Sequence, residues 1–468
     1  MMTHSFQLCR VNRQCFFLRH PRWILPFAAA VSLAGAAILG GQDHGVNWPQ
    51  YRGWQAAGVA EGYTLPVEWE IANGRNVAWK IAVPGLGHSS PVIWGDRLFL
   101  TTAVREQGDD PPPRLGVYGD GDEVNDDASR IWKLLCYDKK TGELLWEREL
   151  QRGVPRMKHH VKASHANATV AANADRLVVF LGSEGLYCLD HEGEILWKKD
   201  YGVINAGPFQ DPALSWGFAN SPVIHEDKVV VLADHLGSGF LCVLRLDDGG
   251  QVWSVPRDEY TTWGAPLVVR AAGRTQIAVN GFRHAGGYDF HTGKEIWRIS
   301  GGGDIPTPTP IFGKGLFFLT NYHGPMAPVY AVKADSTAAG EISPEKATGV
   351  AWIANRVGSY MQTPLLLGDL LYVPRWRGSL VCLRPETGEI VYEERLGVGA
   401  FTSSPVGGDG KIYIASEEGE VYVVAAGEDF RVLAKNDFHE PTLASPAISE
   451  GVIYYRTSES LIALKQQK

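Results

Sequence analysis

The chain has 468 residues, 45% hydrophobic and 10% aromatic, enough for one large repeat domain or two ordinary ones. Its formal charge of −8 becomes about −12 once the basic N-terminus is set aside, which excludes nucleic acid or an anionic membrane surface as principal partner, since both need a basic face. With 53 Gly, 27 Pro and 15 Trp and almost no amphipathic helical stretch, the composition is that of a turn-rich all-β protein.

Residues 1–41 read as an export segment. A basic stretch holding Arg10, Arg13, Arg19 and Arg22 precedes an apolar run from Trp23 to Leu39, with Ala34, Ala36 and Gly40 near its end. The run suits a cleaved signal peptide, and its length also suits an uncleaved anchor, which would be the chain's one tie to a membrane. No Cys follows it and the arginines are not twinned, so neither a lipoprotein anchor nor folded-state export is indicated. Residues 42–75 form an irregular segment expected to pack across the outside of the domain, with Trp48-Pro49 and Arg52-Gly53 at its centre.

Residues 76–468 carry an internal repeat, clearest in Gln362 to Leu396. Four short β-type runs fit that unit, separated by Gly368-Asp369, by Arg375 to Gly378 and by Glu386-Thr387-Gly388. Aligning on the first-strand proline gives Pro91, Pro222, Pro266, Pro310, Pro364, Pro405 and Pro446, with a degenerate copy at Ala166 to Val170, hence eight copies. The fourth strand repeats Trp146, Trp197, Trp253, Trp297 and Trp352, then Tyr392. The eighth copy ends before its fourth strand, whereas Asn76 to Val83, with Trp79, is a fourth strand with no blade before it. The expected fold is therefore an all-β, eight-bladed β-propeller of four-stranded antiparallel blades, the last closed by the N-terminal strand. Cys136, Cys188, Cys242 and Cys382 recur at one third-strand position and read as small buried fillers, with an inter-blade disulfide as the alternative.

These repeats, with Trp48-Pro49, Arg52-Gly53 and Gly87-His88-Ser89-Ser90-Pro91-Val92, resemble the pyrroloquinoline quinone (PQQ) repeat family of eight-bladed propellers. That family includes quinoprotein dehydrogenases and the assembly factor BamB, and the resemblance is to an exported bacterial subgroup. It implies a fold more than a function, because the repeated residues build blades. In the dehydrogenases an adjacent Cys-Cys disulfide, a Trp floor, Glu and Asn calcium ligands and an Asp base surround the quinone. Here no two cysteines are adjacent and no Cys-x-x-Cys-His attaches a haem; only the floor has candidates, Trp216 and Trp263.

Strand order puts the loops from fourth to first strand, and from second to third, on one face. That face receives the long loop Ala103 to Arg130 and the candidate binding residues His88, His159, His160, His165, Trp216, His235, Trp263, Arg283, His284, Tyr322, His323, Arg356, Tyr360, Arg375, Trp376 and Arg377. Such side chains stack on planar groups and pair with anions; the bland reading is that they plug the channel mouth. The opposite face holds minimal turns and one polar excursion, Asp335 to Thr348, expected to be solvated.

Other chemistries find little support. His159, His160 and His165 match no fixed metal motif, and no metal site is expected. Asp120 to Asp127 lacks the Gly and Glu of a calcium loop and reads as a disordered acidic excursion. Ser164-His165 and His88-Ser89 are adjacent pairs that a strand sends opposite ways, so no catalytic residue is assigned. The expectation is a non-catalytic exported binding or scaffold module of the periplasm, cell envelope or extracellular space, BamB-like in envelope protein assembly, with a protein partner and no cofactor. The alternative is a propeller holding a quinone or small anionic ligand at the channel mouth, PQQ with calcium if it is a dehydrogenase-like enzyme.

Overall fold

The computed structural model describes residues 45–467 apart from 120, 301–302, 323, 325, 336 and 344–347. The export expectation for residues 1–41 and the candidate His323 lie outside the described residues. Eight antiparallel sheets run in chain order around a channel. Blade 1 comprises Val92–Trp94, Arg97–Arg105, Arg130–Asp138 and Leu144–Gly153; blade 6, the clearest repeat, comprises Leu365–Leu367, Leu370–Pro374, Ser379–Leu383 and Ile390–Arg395. Each proline stands just before its innermost strand, where its missing N–H costs no ladder bond. In blade 8 the outer strand is Val77–Ala82, paired antiparallel with Ser460–Lys465, so the first and last described strands share one sheet and the ring closes.

The repeated Trp and Gly are two halves of an inter-blade clasp. Trp146 Nε1 donates to His191 O at 3.0 Å, Trp197 to Leu246 O at 2.8 Å, Trp253 to Phe290 O at 2.8 Å and Trp352 to Pro385 O at 2.8 Å. Every acceptor begins the outer turn of the next blade. The glycine of that turn lies on the same indole: at Gly293 (φ +72°) a Cβ would come within 2.6 Å of Trp253, so side-chain bulk and backbone conformation both exclude other residues.

Trp297 is the exception, and it corrects the expectation of a solvated excursion at 335–348. Within that stretch Gly340–Ile342 adds a fifth strand, parallel to Glu295–Ser300, on the outer edge of blade 4. Ala338 and Ile342 are buried in one cluster with Trp297. An outermost strand exposes unpaired backbone groups, and this excursion satisfies them.

A second correction concerns the segment around Trp48 to Gly53, which crosses the turn face of the ring instead of its outside. Trp48 exchanges backbone hydrogen bonds with Ile93, and Ala172 N donates to Pro49 O. Arg52 is fully buried, its guanidinium giving hydrogen bonds to the carbonyls of Ala56, Pro364 and Pro405. Tyr51 Oη meets Ser404 Oγ at 2.9 Å and forms the channel floor. The segment has no periodicity to signal this, yet eight converging inner strands leave an end of the channel that needs filling.

Above that floor runs a belt of hydroxyls at the position before the first-strand proline, or before Val170 in the degenerate copy, in every blade but the fourth, which has Ala265. The backbone N–H groups of Ser90 and Thr169 donate to Thr169 Oγ1 and Ser221 Oγ of the following blade. Those of Ala265, Thr309, Thr363 and Ser404 do the same to Thr309, Thr363, Ser404 and Ser445, all at 2.8–3.0 Å. These inner-strand amides lie where only a neighbouring blade can satisfy them.

Cys136, Cys188, Cys242 and Cys382 are free and buried, as the filler reading expects.

Candidate functional site

The strand approaching each proline alternates sides, so the residue three positions before it faces the channel, as does the residue one before. Blades 1 to 4 thereby supply His88, Asn167, Ala219 and Trp263, and blades 5 to 8 supply Thr307, Met361, Thr402 and Leu443. This ring walls a cavity of about 170 Å³ at the loop face.

The loop between the second and third strands of blade 1 roofs it. Tyr118 stacks on Trp376 with centroids 4.0 Å apart and planes at 13°, and lies 4.3 Å from Tyr360 and 5.7 Å from Tyr322. Gly119 N donates to Tyr360 Oη at 3.0 Å. The expectation of a disordered acidic excursion is therefore corrected for the described residues of this loop. Three of its acids are tied down: Asp126 bridges Arg105 and Arg130, Asp110 meets Arg130, and Glu123 takes Lys158 Nζ at 2.6 Å and Ser215 N at 2.8 Å. Those pairings hold the Glu123 and Asp126 carboxyls below the usual range against the opposing effect of burial.

Beneath the roof lies an ion pair that no sequence pattern marks. Lys162 Nζ is 2.6 Å from Glu417 Oε1, both side chains buried, and also donates to Val117 O at 3.0 Å. Glu417 further accepts from Thr402 Oγ1 at 2.5 Å and from Gly116 N at 2.8 Å. Both carboxylate oxygens are thus engaged, and the pair ties the roof to the channel wall.

The fifteen described candidates divide by where they point. His88, His160, Trp216, Trp263 and Tyr360 line the cavity. Tyr322 and Trp376 join the aromatic cluster above it, with Arg375 5.4 Å over the Tyr322 ring and Arg377 4.5 Å over Trp376. Arg375 also pairs with Glu393 at 3.0 Å, while Arg356 is exposed in a left-handed backbone conformation. The rest are turned away from the mouth. His159 and His165 meet edge to face with centroids 4.5 Å apart, and His165 lies against Trp132. His235 is buried beside the Asp234–Arg257 pair, and Arg283 and His284 donate backbone N–H groups to the buried Glu259. Arg283 itself bonds Asp258 at 2.6 Å.

Burial, with Arg456 nearby, pushes the His88 ring down to about 3. Its Nε2 faces Lys162 O at 3.1 Å and so carries the proton, leaving Nδ1 as the ring's acceptor. Burial likewise pushes His165 down to about 2 and lowers His159. Asn167, Thr307, Met361, Thr402 and Leu443 were absent from the expectations, although the three-before-proline register marks them. Lys162, Glu417 and Tyr118 carry no such signal.

The resemblance to quinoproteins implies PQQ with calcium, and the donor set does not fit it. Calcium takes about six to eight oxygen ligands with carboxylates among them, whereas no described residue lining the cavity is Asp or Glu. Glu417 lies just behind it with its oxygens already taken. Among the described residues no group of three or more His, Cys, Asp or Glu converges on one point.

Fold and site together define a closed eight-bladed propeller whose channel is floored at one end and, at the other, opens into an aromatic mouth roofed by its own loop. The chain belongs to the family described as outer membrane protein assembly factor BamB, whose model matches residues 132–394, more than half of it. It is 24% identical over 272 residues to the outer membrane protein assembly factor BamB of Shewanella oneidensis, a match taking in 55% of this chain and 62% of the relative. The chain thus spans less than two thirds of that relative's length. The crystal structure of BamB from Moraxella catarrhalis matches with a TM-score of 0.53 and 15% identity, covering 78% of this chain and 97% of that one. A europium-containing methanol dehydrogenase matches at 0.60 and 12%, covering 90% and 89%. The quinohemoprotein alcohol dehydrogenase of Comamonas testosteroni matches at 0.63 and 11%, covering 90% and 81%. At these identities the likeness to the solved structures is one of fold alone.

Proposed function

We propose that the protein is a non-catalytic binding module of the cell envelope that serves outer membrane protein assembly, as the names of its BamB relatives describe for them. It engages a protein partner through the loop face. The observation that carries this reading is the rim around the mouth, where Trp376 stacks on Tyr118, Arg377 lies over Trp376 and Arg375 over Tyr322. Half-buried aromatic rings flanked by arginines are the composition of a protein-binding hot spot, and a rigid ring of blades holds them without further ordering cost. Family membership supports the envelope setting.

The test is complementation in the source organism. Deletion should lower the amount of folded outer membrane β-barrel protein, and wild type should restore it. Trp376→Ala with Arg377→Ala should fail to restore it at equal expression and an unchanged melting temperature. Full rescue by that variant, or no change on deletion, would refute the reading.

A further inference from the structure

The cavity at the mouth does not end beneath the aromatic roof. The eight residues that wall it, one from each blade, also wall a second chamber that reaches down to the Tyr51 floor. Together the two make one blind channel, entered at the loop face where Val117 and His160 are half-buried. Its ends differ in chemistry. The upper end is aromatic, with Trp216 and Trp263 at 6.1 Å between centroids and Tyr360 beside them. The lower end is walled by five hydroxyls of the belt, those of Ser90, Thr169, Ser221, Thr309 and Ser445.

These hydroxyls are only half used. Thr169, Ser221, Thr309 and Ser445 each accept a backbone N–H, and none of the four has an acceptor for its own O–H among the described residues. Ser90 is freer still: it is 2% exposed, lines the lower chamber, and its Oγ bonds to no described residue. His88, on the wall shared by the two chambers, adds Nδ1 as an acceptor. Buried polar groups are hydrogen-bonded as a rule, so unspent donors around one chamber call for an occupant carrying several oxygens.

Position and charge narrow the class of that occupant. The five hydroxyls come from blades 1, 2, 3, 5 and 8 and so stand around the channel, which suits acceptors spread along the edge of a molecule better than a single ion. Glu417 neutralises Lys162 at 2.6 Å, and no described residue lining either chamber is a carboxylate. A charged molecule would therefore give up its hydration without finding an unpaired counter-charge. A pyranose ring meets each demand: it is uncharged, its hydroxyls lie around its edge as donors and acceptors, and its C–H faces are apolar enough to lie on an indole.

We propose that the channel binds a neutral saccharide end-on. The terminal sugar lies against Trp263, with its hydroxyls bonded to His88 Nδ1, to Ser90 Oγ and to the neighbouring belt, and the remainder passes Trp216 toward the mouth. This site lies beneath the rim proposed for the protein partner and does not depend on that reading.

The experiment titrates the purified full chain with glucose, galactose, mannose, N-acetylglucosamine and cellobiose, alongside glucuronate and PQQ plus calcium, following tryptophan fluorescence and melting temperature. At least one neutral sugar should give a saturable fluorescence change and raise the melting temperature, with glucuronate at least about tenfold weaker than the best of them because its charge is desolvated without a partner. Ser90→Ala removes a hydroxyl that bonds no described residue, so the fold should be unchanged while affinity falls about three- to tenfold. Ala219→Phe fills the channel from blade 3 at the wall shared by both chambers and should abolish binding; should it fail to fold, Ser90→Ala decides. No saturable response to any neutral sugar, which would leave the channel to ordered water, would overturn the proposal. So would an undiminished response in every variant that folds, or equal or tighter binding of glucuronate or PQQ. Unchanged affinity in Ser90→Ala with binding lost in a folded Ala219→Phe would overturn the assigned contact.

Discussion

Lys162 and Glu417 stand 255 positions apart in the chain and 2.6 Å apart beneath the channel mouth, joining the loop before blade 2 to a turn of blade 7. Through Val117 O and Gly116 N the same two side chains hold the roof. Breaking a buried pair by removing one partner leaves an uncompensated charge, which costs about 3–5 kcal/mol. Lys162→Met should lower stability to urea by that order, and Lys162→Met with Glu417→Gln should recover most of it. Losses that simply add in the double variant would show that the two side chains do not act as a pair.

Two buried histidines, His88 and His165, predict a direction for acid sensitivity. His88 is held at about 3 when folded against 6.5 ordinarily, and His165 at about 2. Between those values and 6.5 the unfolded chain binds more protons than the folded one, so their contribution is full above pH 6.5 and is lost as pH falls through that window. Urea midpoints should therefore drop between about pH 7 and pH 4.5, and His88→Asn with His165→Phe should flatten that drop. An equally steep profile in the variant would assign the acid sensitivity to other groups.

Much of the wheel was legible because its parts repeat. Pro364, Gly388 and Trp352 each stand for a position that recurs around the ring, and the outer Trp needs the next blade's turn glycine, so both halves of the clasp appear at one period. Trp79 stood alone ahead of blade 1, and that isolation announced the closure with Ser460–Lys465. The site was legible only where it shares the repeat. Trp216, Trp263 and His88 precede prolines or their equivalent and could be placed on the loop face, but period alone could not say that His159 turns inward while its neighbour His160 lines the mouth. Lys162 with Glu417, Tyr118 on Trp376, and Arg52 beneath the floor each occur once, and contacts made once between distant segments leave no period to read.

The third-strand cysteines should be inert in the folded protein. Burial pushes the thiols of Cys136, Cys188 and Cys382 up to about 12 and that of Cys242 up to about 11. The thiolate is the reactive form, so iodoacetamide near pH 8 should leave all four unmodified until guanidinium unfolds the chain. Reductant should leave the melting temperature unchanged. A fall on reduction would mean that two of these sulfurs pair in solution.

The hydroxyl belt makes a prediction in both directions. Thr363 Oγ1 accepts the Thr309 N–H at 3.0 Å, and its own N–H passes to Ser404 Oγ at 2.8 Å. Thr363→Val keeps the shape but leaves a buried donor unsatisfied, which costs about 1–3 kcal/mol. Ala265 is the one belt position without a hydroxyl, at the step that follows Ser221. Ala265→Ser would place an acceptor where every neighbouring step has one, and should add about 0.5–1 kcal/mol if the serine takes the rotamer of its neighbours. Denaturant midpoints moving in opposite directions for the two variants would establish the belt as a working link between blades. Loss of stability in both would mean that the inner strands are packed too tightly at Ala265 to admit one more oxygen, and that the missing hydroxyl is a steric requirement of blade 4.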